Sequence, residues 1–420
     1  MIPVLQAESV ILDLVHPLDA ERDVEVVSLH AAVGRILAAP ITSNLDFPHW
    51  DNSAMDGYAV QFTDVEHACP ENPVTLEVVE EIPAGCQPQK TLLPGQAARI
   101  LTGSMMPAGA DTVVMQEVTR RQGDRVIILA APQPQQFVRK QGEFYRAGTT
   151  LLPAGTRLTA AAIATLAAAQ CCSIPVYRRP RVAILSTGNE LVAPEQPLQP
   201  GQIVDSNQYA LAALVAQSGA EPICLGIVPD EPAKLAGAIA QALTICDLVI
   251  SSGGVSVGDY DYVEQILTSL GATLHIRSVA IKPGKPLTVA SVQASVREHS
   301  SPTPVLYFGL PGNPVSALVT FWRFVQPALR KLSGLPAGWR PQFVKAKSCA
   351  ALRADPKRES YLWGHLRVVN GEYEFSPAPG EHSSGNLINL ALTNCLAVVP
   401  QGEGAIAAEE VIQVMQLQAL

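Results

Sequence analysis

Between residues 180 and 332, short apolar runs alternate with segments of helical periodicity, and each run stops at a turn rich in Gly, Pro, Ser or Asp. This pattern constrains the chain most, because a strand that is apolar along its whole length has to be covered on both faces. The runs are V-A-I-L at 182–185, I-C-L-G-I-V at 223–228, L-V-I-S at 248–251 and V-L-Y-F at 305–308. Segments 209–218 and 232–245 between them read as amphipathic helices. A three-layer α/β domain with a mostly parallel sheet follows.

Residues 49–147 look different. Short β-branched runs such as V-T-L-E-V-V at 74–79 and R-V-I-I-L at 125–129, separated by Gly and Pro, predict a β-rich insertion domain. Around it lie helical stretches at 7–14 and 31–37 and an Ala-rich helix after Thr156, which together suggest a connecting domain built from discontinuous segments. After Leu332, S-G-L-P-A-G reads as a linker, and 340–420 alternates again as a small C-terminal β domain with an Asn370-Gly371 hairpin turn. The predicted division is 1–24 with 179–332 (α/β), 25–48 with 148–178 (connecting), 49–147 (insertion) and 333–420 (C-terminal).

Composition narrows the function classes. A formal charge of −9 is the wrong sign for tracking a nucleic-acid backbone, so no nucleic-acid partner is expected and anions have to be bound locally. The opening residues lack a basic stretch leading into a cleavable apolar segment, and 158–177 is broken by Thr159, Gln170 and Pro175, so neither secretion nor a membrane partner is expected and the chain is expected to be cytoplasmic. The eight cysteines include no C-x-x-C pair and the eight histidines no H-E-x-x-H spacing, which gives a zinc site little support.

Several loops of the α/β segment carry chemistry. D-L-V-I-S-S-G-G-V-S-V-G-D-Y-D at 247–261 runs from a buried strand into glycines, hydroxyls and carboxylates, among them Ser252, Gly253, Gly254, Ser256 and Asp261. Glycines let backbone N–H groups approach an oxyanion, although a tight strand-to-helix turn would use them equally well. In G-L-P-G-N-P-V-S at 309–316, Asn313 suits the N-cap of a helix expected to run through Phe324, and Pro311 and Pro314 stiffen the loop as in a preorganised site or a well-capped helix start. Lys282 and Lys285 flank a Pro-Gly turn, where two ammonium groups repel unless an anion bridges them or water solvates both. Glu190, Asp230 and Asp261 each follow a predicted parallel strand, the end at which open α/β sheets bind ligands, and carboxylates gathered there with hydroxyls suit Mg²⁺.

Taken together, the motifs resemble those of the molybdopterin molybdenumtransferases, the MoeA family, which is homologous to the gephyrin E domain. The resemblance runs the length of the chain: D-N-S-A-M-D-G-Y-A at 51–59, I-L-T-G at 100–103, S-T-G-N-E-L at 186–191, D-S-N at 205–207, S-S-G-G-V-S-V-G-D-Y-D at 251–261, K-P-G-K-P at 282–286 and G-L-P-G-N-P-V-S at 309–316. It implies an elongated homodimer of four domains: the α/β domain, a β-rich, barrel-like insertion, a small connecting domain and a C-terminal β-barrel-like domain. It also implies the reaction, in which adenylylated molybdopterin and molybdate give molybdenum cofactor and AMP with Mg²⁺ present, and a transfer partner that supplies the adenylylated pterin.

On this resemblance Ser252, Gly253, Gly254 and Ser256 would hold the pterin phosphate and adenylyl group, beside Pro311 and Pro314, and Glu190, Asp230 and Asp261 would position Mg²⁺. Lys282, Lys285, Ser206, Arg358 and Ser384 would bind molybdate, while Asp56 and Thr102 would contribute from the neighbouring subunit. Phe144 and Asn189 stand where the family often carries acids, so an auxiliary carboxylate is missing at each place. The α/β domain is similar as well to molybdopterin adenylyltransferases and to competence/damage-inducible nucleotide amidases, and a gephyrin-like scaffold without catalysis is a further reading. The D-N-S-A-M-D-G-Y block and the C-terminal domain point to the transferase.

Overall fold

A computed structural model describes residues 1–254, 262–293 and 303–417 of the 420. Contacts within the chain gather it into two compact units: one of 1–38, 155–159 and 175–420, the other of 39–154 and 160–174. No helix among the described residues is long and apolar enough to cross a membrane.

The larger unit is built on a six-stranded sheet of β1 (Arg181–Thr187), β2 (Glu221–Val228), β3 (Leu248–Ser252), β4 (Thr273–Ser278), β5 (Pro286–Val292) and β6 (Val305–Leu310), in the order β2-β1-β3-β6-β5-β4. β2, β1, β3 and β6 run parallel, and β5 pairs antiparallel with both β6 and β4. Successive side chains point to opposite faces, so each apolar run feeds two cores. Val182, Ile184, Leu248, Ile250 and Phe308 pack on one side with helices Val4–Leu14 and Asn207–Gln217, whereas Ala183, Leu185, Val249 and Tyr307 pack on the other with Pro232–Ile245 and Tyr262–Ser269. This is the three-layer arrangement that the uninterrupted apolar runs imply.

The C-terminal part adds β7 (Phe343–Ser348), β8 (Glu359–Val369), β9 (Glu372–Pro377), β10 (Cys395–Val399) and β11 (Val411–Gln416), which pair in the order β8-β9-β7-β11-β10. A last ladder, from Ser360↔Val399 to Gly364↔Cys395, joins β10 back to β8 and closes a five-stranded barrel. Asn370 and Gly371, at φ of 52° and 85°, turn the β8–β9 hairpin. Cys395, Ala397 and Val399 fill the barrel, while Leu396 and Val398 from the same strand join the core under the α/β sheet. The short strand Ile281–Lys282 lies parallel on β8, with Ile281 opposite Glu359 and Lys282 opposite Ser360.

The smaller unit carries a second six-stranded sheet, in the order Thr112–Met115, Gly57–Val60, Gln96–Ile100, Val74–Ile82, Arg125–Ile128 and Thr119–Gln122. It also holds the Ala-rich helix Ala160–Ala168.

Two local expectations fail. The helix anticipated over 31–37 is a single 3-10 turn, Leu29–Ala31, after which Ile36 and Leu37 bridge Arg157 and Val176. Gly34 takes φ +76° and sends its N–H to Leu158 O, so the chain leaves helical geometry there. The helix starting at Pro314 does not stop near Phe324 but continues through a π-turn, Phe321–Val325, into Gln326–Leu332. Pro327 has no N–H to offer the carbonyl four residues back, and the ladder widens where that bond is missing.

Candidate functional site

The C-terminal ends of β1, β2, β3 and β6 share one rim, and the chain order reverses between β1, whose successor β2 lies on one side, and β3 on the other. Open α/β sheets place ligands in the crevice at such a point. A cavity of about 730 Å³ occupies it, with walls from Thr187, Glu190 and Asp230, from Ser252–Gly254, and from the 311–314 loop.

Two glycines let the end of β3 pack directly against Thr187. A Cβ on Gly253, whose φ is +93°, would lie 2.3 Å from Thr187 O, and one on Gly254 would lie 2.9 Å from the Thr187 methyl. Gly253→Ala therefore combines a backbone overlap with a left-handed conformation that itself costs an L-residue roughly 1–2 kcal/mol. Thermal unfolding is expected to show a loss of about 3 kcal/mol, and wild-type melting of Gly253→Ala would disprove the need for glycine.

Side-chain bonds fix the loops against one another. The Asn207 amide donates to Ser252 Oγ at 2.6 Å and to Gly312 O at 2.8 Å, linking the helix after Ser206 to the ends of β3 and β6. Thr187 Oγ1 donates to Asp230, and Asp230 N donates to Asn189 Oδ1 at 3.2 Å. Asn189 thus fixes the backbone of Asp230, and Thr187 fixes its carboxylate. Asn207 Oδ1 and Ser186 Oγ are buried without partners although both residues line the cavity. Buried polar atoms are nearly always bonded, so these two atoms offer hydrogen-bonding capacity to a polar ligand or to water in the cavity.

A second cavity, of about 570 Å³, shares Pro286, Asn313 and Ser316 with the first. Its walls carry Lys282, Lys285, Arg353, Arg358 and Ser384, together with Tyr361, Trp363 and His382 from the barrel part. Asn313 does not cap its helix with a side-chain bond; its amide donates to Ser384 Oγ at 3.1 Å, and Val315 N donates to Ser384 O at 3.2 Å. Trp363 Nε1 donates to Asn389 Oδ1 at 2.8 Å, and its ring stacks on His382 at 4.4 Å between centroids. Burial pushes the His382 imidazole down from its ordinary value, which favours the neutral ring.

Asp355 organises the cations. Arg358 donates to Asp355 Oδ2 through Nη2 at 2.7 Å and Nε at 3.1 Å, and Lys282 Nζ lies 4.0 Å from the same oxygen. The Arg358 guanidinium, with the Lys357 backbone N–H, holds the Asp355 carboxyl below its ordinary value. Asp355 is therefore ionised at neutral pH, and its pairing with Arg358 weakens only as pH falls through that lowered value. Lys282, Lys285 and Arg358 outnumber this carboxylate, so the group keeps a net positive charge.

The structure thus brings Glu190, Asp230, Ser252, Gly253, Gly254, Pro311 and Pro314 to the first cavity, and Lys282, Lys285, Arg358 and Ser384 to the second. Ser206, expected beside the lysines, lines the first cavity instead. Ser256 and Asp261 lie outside the described residues. Asp56 and Thr102 meet in the smaller unit, where Thr102 N and Oγ1 donate to Asp56 Oδ1 at 2.8 and 2.7 Å. Those bonds, the backbone N–H first, hold the Asp56 carboxyl below its ordinary value. The sequence reading did not single out Asn207, Asp355 or Trp363. Asn207 closes the D-S-N motif at 205–207 and Asp355 stands three residues before Arg358, whereas Trp363 has no local signal.

Among the described residues no group of three His, Cys, Asp or Glu side chains comes together as a metal-binding set. Glu190, Asp205 and Asp230 are the carboxylates that line the first cavity, and Asp205 is buried and held by Gln208.

Comparison with known proteins covers nearly the whole chain. Family models match in order: the MoeA N-terminal region (domain I and II) at residues 2–169, a probable molybdopterin binding domain at 183–331 and the MoeA C-terminal region (domain IV) at 345–417. A molybdopterin molybdenumtransferase from Nostoc sp. is 62% identical over 409 residues, 97% of this chain and 92% of that protein. One from Haemophilus influenzae is 35% identical, with 93% of each chain covered. The crystal structure of a molybdopterin biosynthesis MoeA protein from Pyrococcus horikoshii OT3 superposes with a TM-score of 0.82 at 29% identity, covering 99% of this chain and 100% of that one.

Proposed function

We propose, from the premise that this chain belongs to the MoeA family of molybdopterin molybdenumtransferases, that its two joined cavities divide one reaction between them. The chain is a transferase of molybdenum cofactor biosynthesis. The reading is that the first cavity takes the adenylylated pterin and the second takes molybdate, so that cofactor forms and AMP leaves.

One observation carries it: a cavity of carboxylates, hydroxyls and glycines shares Pro286, Asn313 and Ser316 with a cavity of cations. Molybdate is a tetrahedral dianion, and Lys282, Lys285, Arg358 and Ser384 offer charge and donors to its oxygens. The glycine loop at Gly253 and Gly254 leaves room for phosphate oxygens, and Ser252 lies beside it. The two dithiolene sulfurs then form bonds to molybdenum, the displaced molybdate oxygen leaves as water with the thiol protons, and a water molecule cleaves the phosphoanhydride to AMP and the pterin phosphate. Fixed cationic donors favour the charge that develops during this exchange, and no covalent enzyme intermediate is needed.

Glu190 and Asp230 fit Mg²⁺, a hard ion that commonly takes one or two carboxylates with substrate phosphate and water. When bound, Mg²⁺ would neutralise negative charge on the phosphoanhydride. Asp261 belongs to the same proposed set. We further read the protein as a cytoplasmic homodimer in which Asp56 and Thr102 serve the neighbouring subunit's site, with a transfer partner delivering the adenylylated pterin. The division into parts 1–24 with 179–332, 25–48 with 148–178, 49–147 and 333–420 belongs to this reading.

Purified protein incubated with adenylylated molybdopterin, Mg²⁺ and molybdate is expected to release AMP and form cofactor together. Omitting molybdate or chelating Mg²⁺ is expected to stop both. Adenylylation of the pterin from ATP without molybdate would instead identify an adenylyltransferase and sink the reading.

A further inference from the structure

A third cavity, of about 250 Å³, is lined by five arginines, Arg35, Arg157, Arg178, Arg179 and Arg330, and shares no residue with the two cavities described above. A cationic cleft of this kind is unexpected in a chain whose formal charge is −9. Two of the five are neutralised within the fold. Arg178 pairs with Asp247 through two nitrogens, at 2.7 and 2.9 Å, and with Asp23 at 2.9 Å, while Arg35 pairs with Glu25 and donates to Tyr177 O.

The other three have no ion pair among the described residues. Arg157 is held by the bridge of its backbone to Ile36, Arg179 follows the paired Arg178, and Arg330 projects from helix Gln326–Leu332. Arg330 reaches the carbonyls of Trp339 and Arg340 only at 3.4 Å, the long edge of a hydrogen bond. Burial, and Arg157 beside it, push the Arg330 guanidinium down from its ordinary value, so its charge is held against both desolvation and repulsion. An anion between the guanidinium groups would relieve both. The planar fork of arginine matches tetrahedral oxyanions, and the volume admits a phosphate group with a small body attached.

We propose that this cleft is a binding site for the phosphate group of a small molecule, held by Arg157, Arg179 and Arg330. The proposal does not depend on the molybdenum chemistry, because none of these residues borders the other cavities.

The test titrates the full chain, without molybdate, with inorganic phosphate and separately with AMP, in wild type, Arg157→Gln and Arg330→Gln. Each substitution is expected to weaken phosphate binding about tenfold or more, because a charge-assisted bond is lost. Melting in phosphate-free buffer guards against misfolding: removing one of two repelling charges should leave each variant at least as stable as wild type. Tighter binding of AMP, lost in the same variants, would assign the ligand as a nucleotide-like ester; equal binding would assign free phosphate. The proposal fails if wild type binds neither ligand or if the variants bind as wild type does. It fails too if binding disappears in Lys285→Ala, which would place phosphate in the cation cavity, or if Arg157→Gln splits an oligomer while phosphate binding is unaltered.

Discussion

Alanine at both Lys285 and Arg358 is expected to weaken molybdate binding by about three orders of magnitude, since each substitution deletes a charged donor worth roughly 1.5–3 kcal/mol. The single variants should not be equal. Arg358 occupies Asp355 through two nitrogens, and Lys282 lies 4.0 Å from the same oxygen. When Arg358 is removed, Asp355 stays ionised and turns its charge on Lys282, so a second donor is partly neutralised. Lys285 has no such carboxylate beside it among the described ion pairs, and its loss subtracts one charge only. Arg358→Ala should therefore exceed Lys285→Ala, and Arg358→Lys should fall between Arg358→Ala and wild type, keeping the charge but not the fork. Equilibrium titration with molybdate measures all four variants, and unchanged affinity in both single alanine variants would remove molybdate from this cavity. Affinity for the adenylylated pterin is expected to change far less, because Glu190, Asp230 and Gly253 line the other cavity.

The parts of this site that the sequence disclosed are those fixed by local rules. Strands covered on both faces have to be apolar at every position, so β1, β3 and β6 are visible as runs, and the residues after them have to lie on the rim. Asn370-Gly371 is visible because two successive positive φ angles admit few residues.

What stayed hidden depends on partners distant in the chain. Ser206 is the residue before helix Asn207–Gln217, inside the D-S-N motif, and only the loops packed around that helix decide which cavity it faces. Asn313 has the identity and position of an N-cap, yet Ser384, 71 residues away, takes its amide. Barrel closure rests on the pairing of β8 with β10, whose alternation is that of any strand with one face in a core. The arginines of the third cavity come from segments around residues 35, 157, 178 and 330, so no sequence window contains them. Gly34 is the reverse case: a local signal was present, and the apolar residues around it outweighed a glycine that ends the helix.

Glu8→Gln is expected to destabilise the larger unit by about 3–5 kcal/mol, a fall of the order of 10 °C in melting temperature. Glu8 is only 4% exposed and pairs with Arg323, which is 1% exposed on the π-turn of the long helix, and with Arg340 at 2.7 Å. Arg323 Nε donates to Tyr361 Oη at 2.9 Å, and Tyr361 Oη donates to Glu359 Oε1 at 2.6 Å. Burial pushes the Tyr361 phenol well above its ordinary value, so it stays protonated and can relay this bond. Glu359 is opposite Ile281 in the short strand that carries Lys282, and Tyr361 lines the cation cavity. The network therefore joins the N-terminal helix, the π-turn, the barrel and the lysine turn through the buried Glu8, Arg323 and Tyr361. Taking the charge from Glu8 leaves the Arg323 guanidinium buried against a neutral amide, and breaking one side of a buried pair costs far more than replacing both sides. Replacing both residues, Glu8→Leu with Arg323→Met, should accordingly recover much of the loss. Melting temperatures of the two single variants and the pair decide this: a double variant as unstable as the sum of the singles would show that the two charges do not act as a unit. Molybdate titration of the same proteins separates structure from function, because a double variant that melts near wild type yet binds molybdate weakly would mean that the network also sets the position of the Lys282 turn.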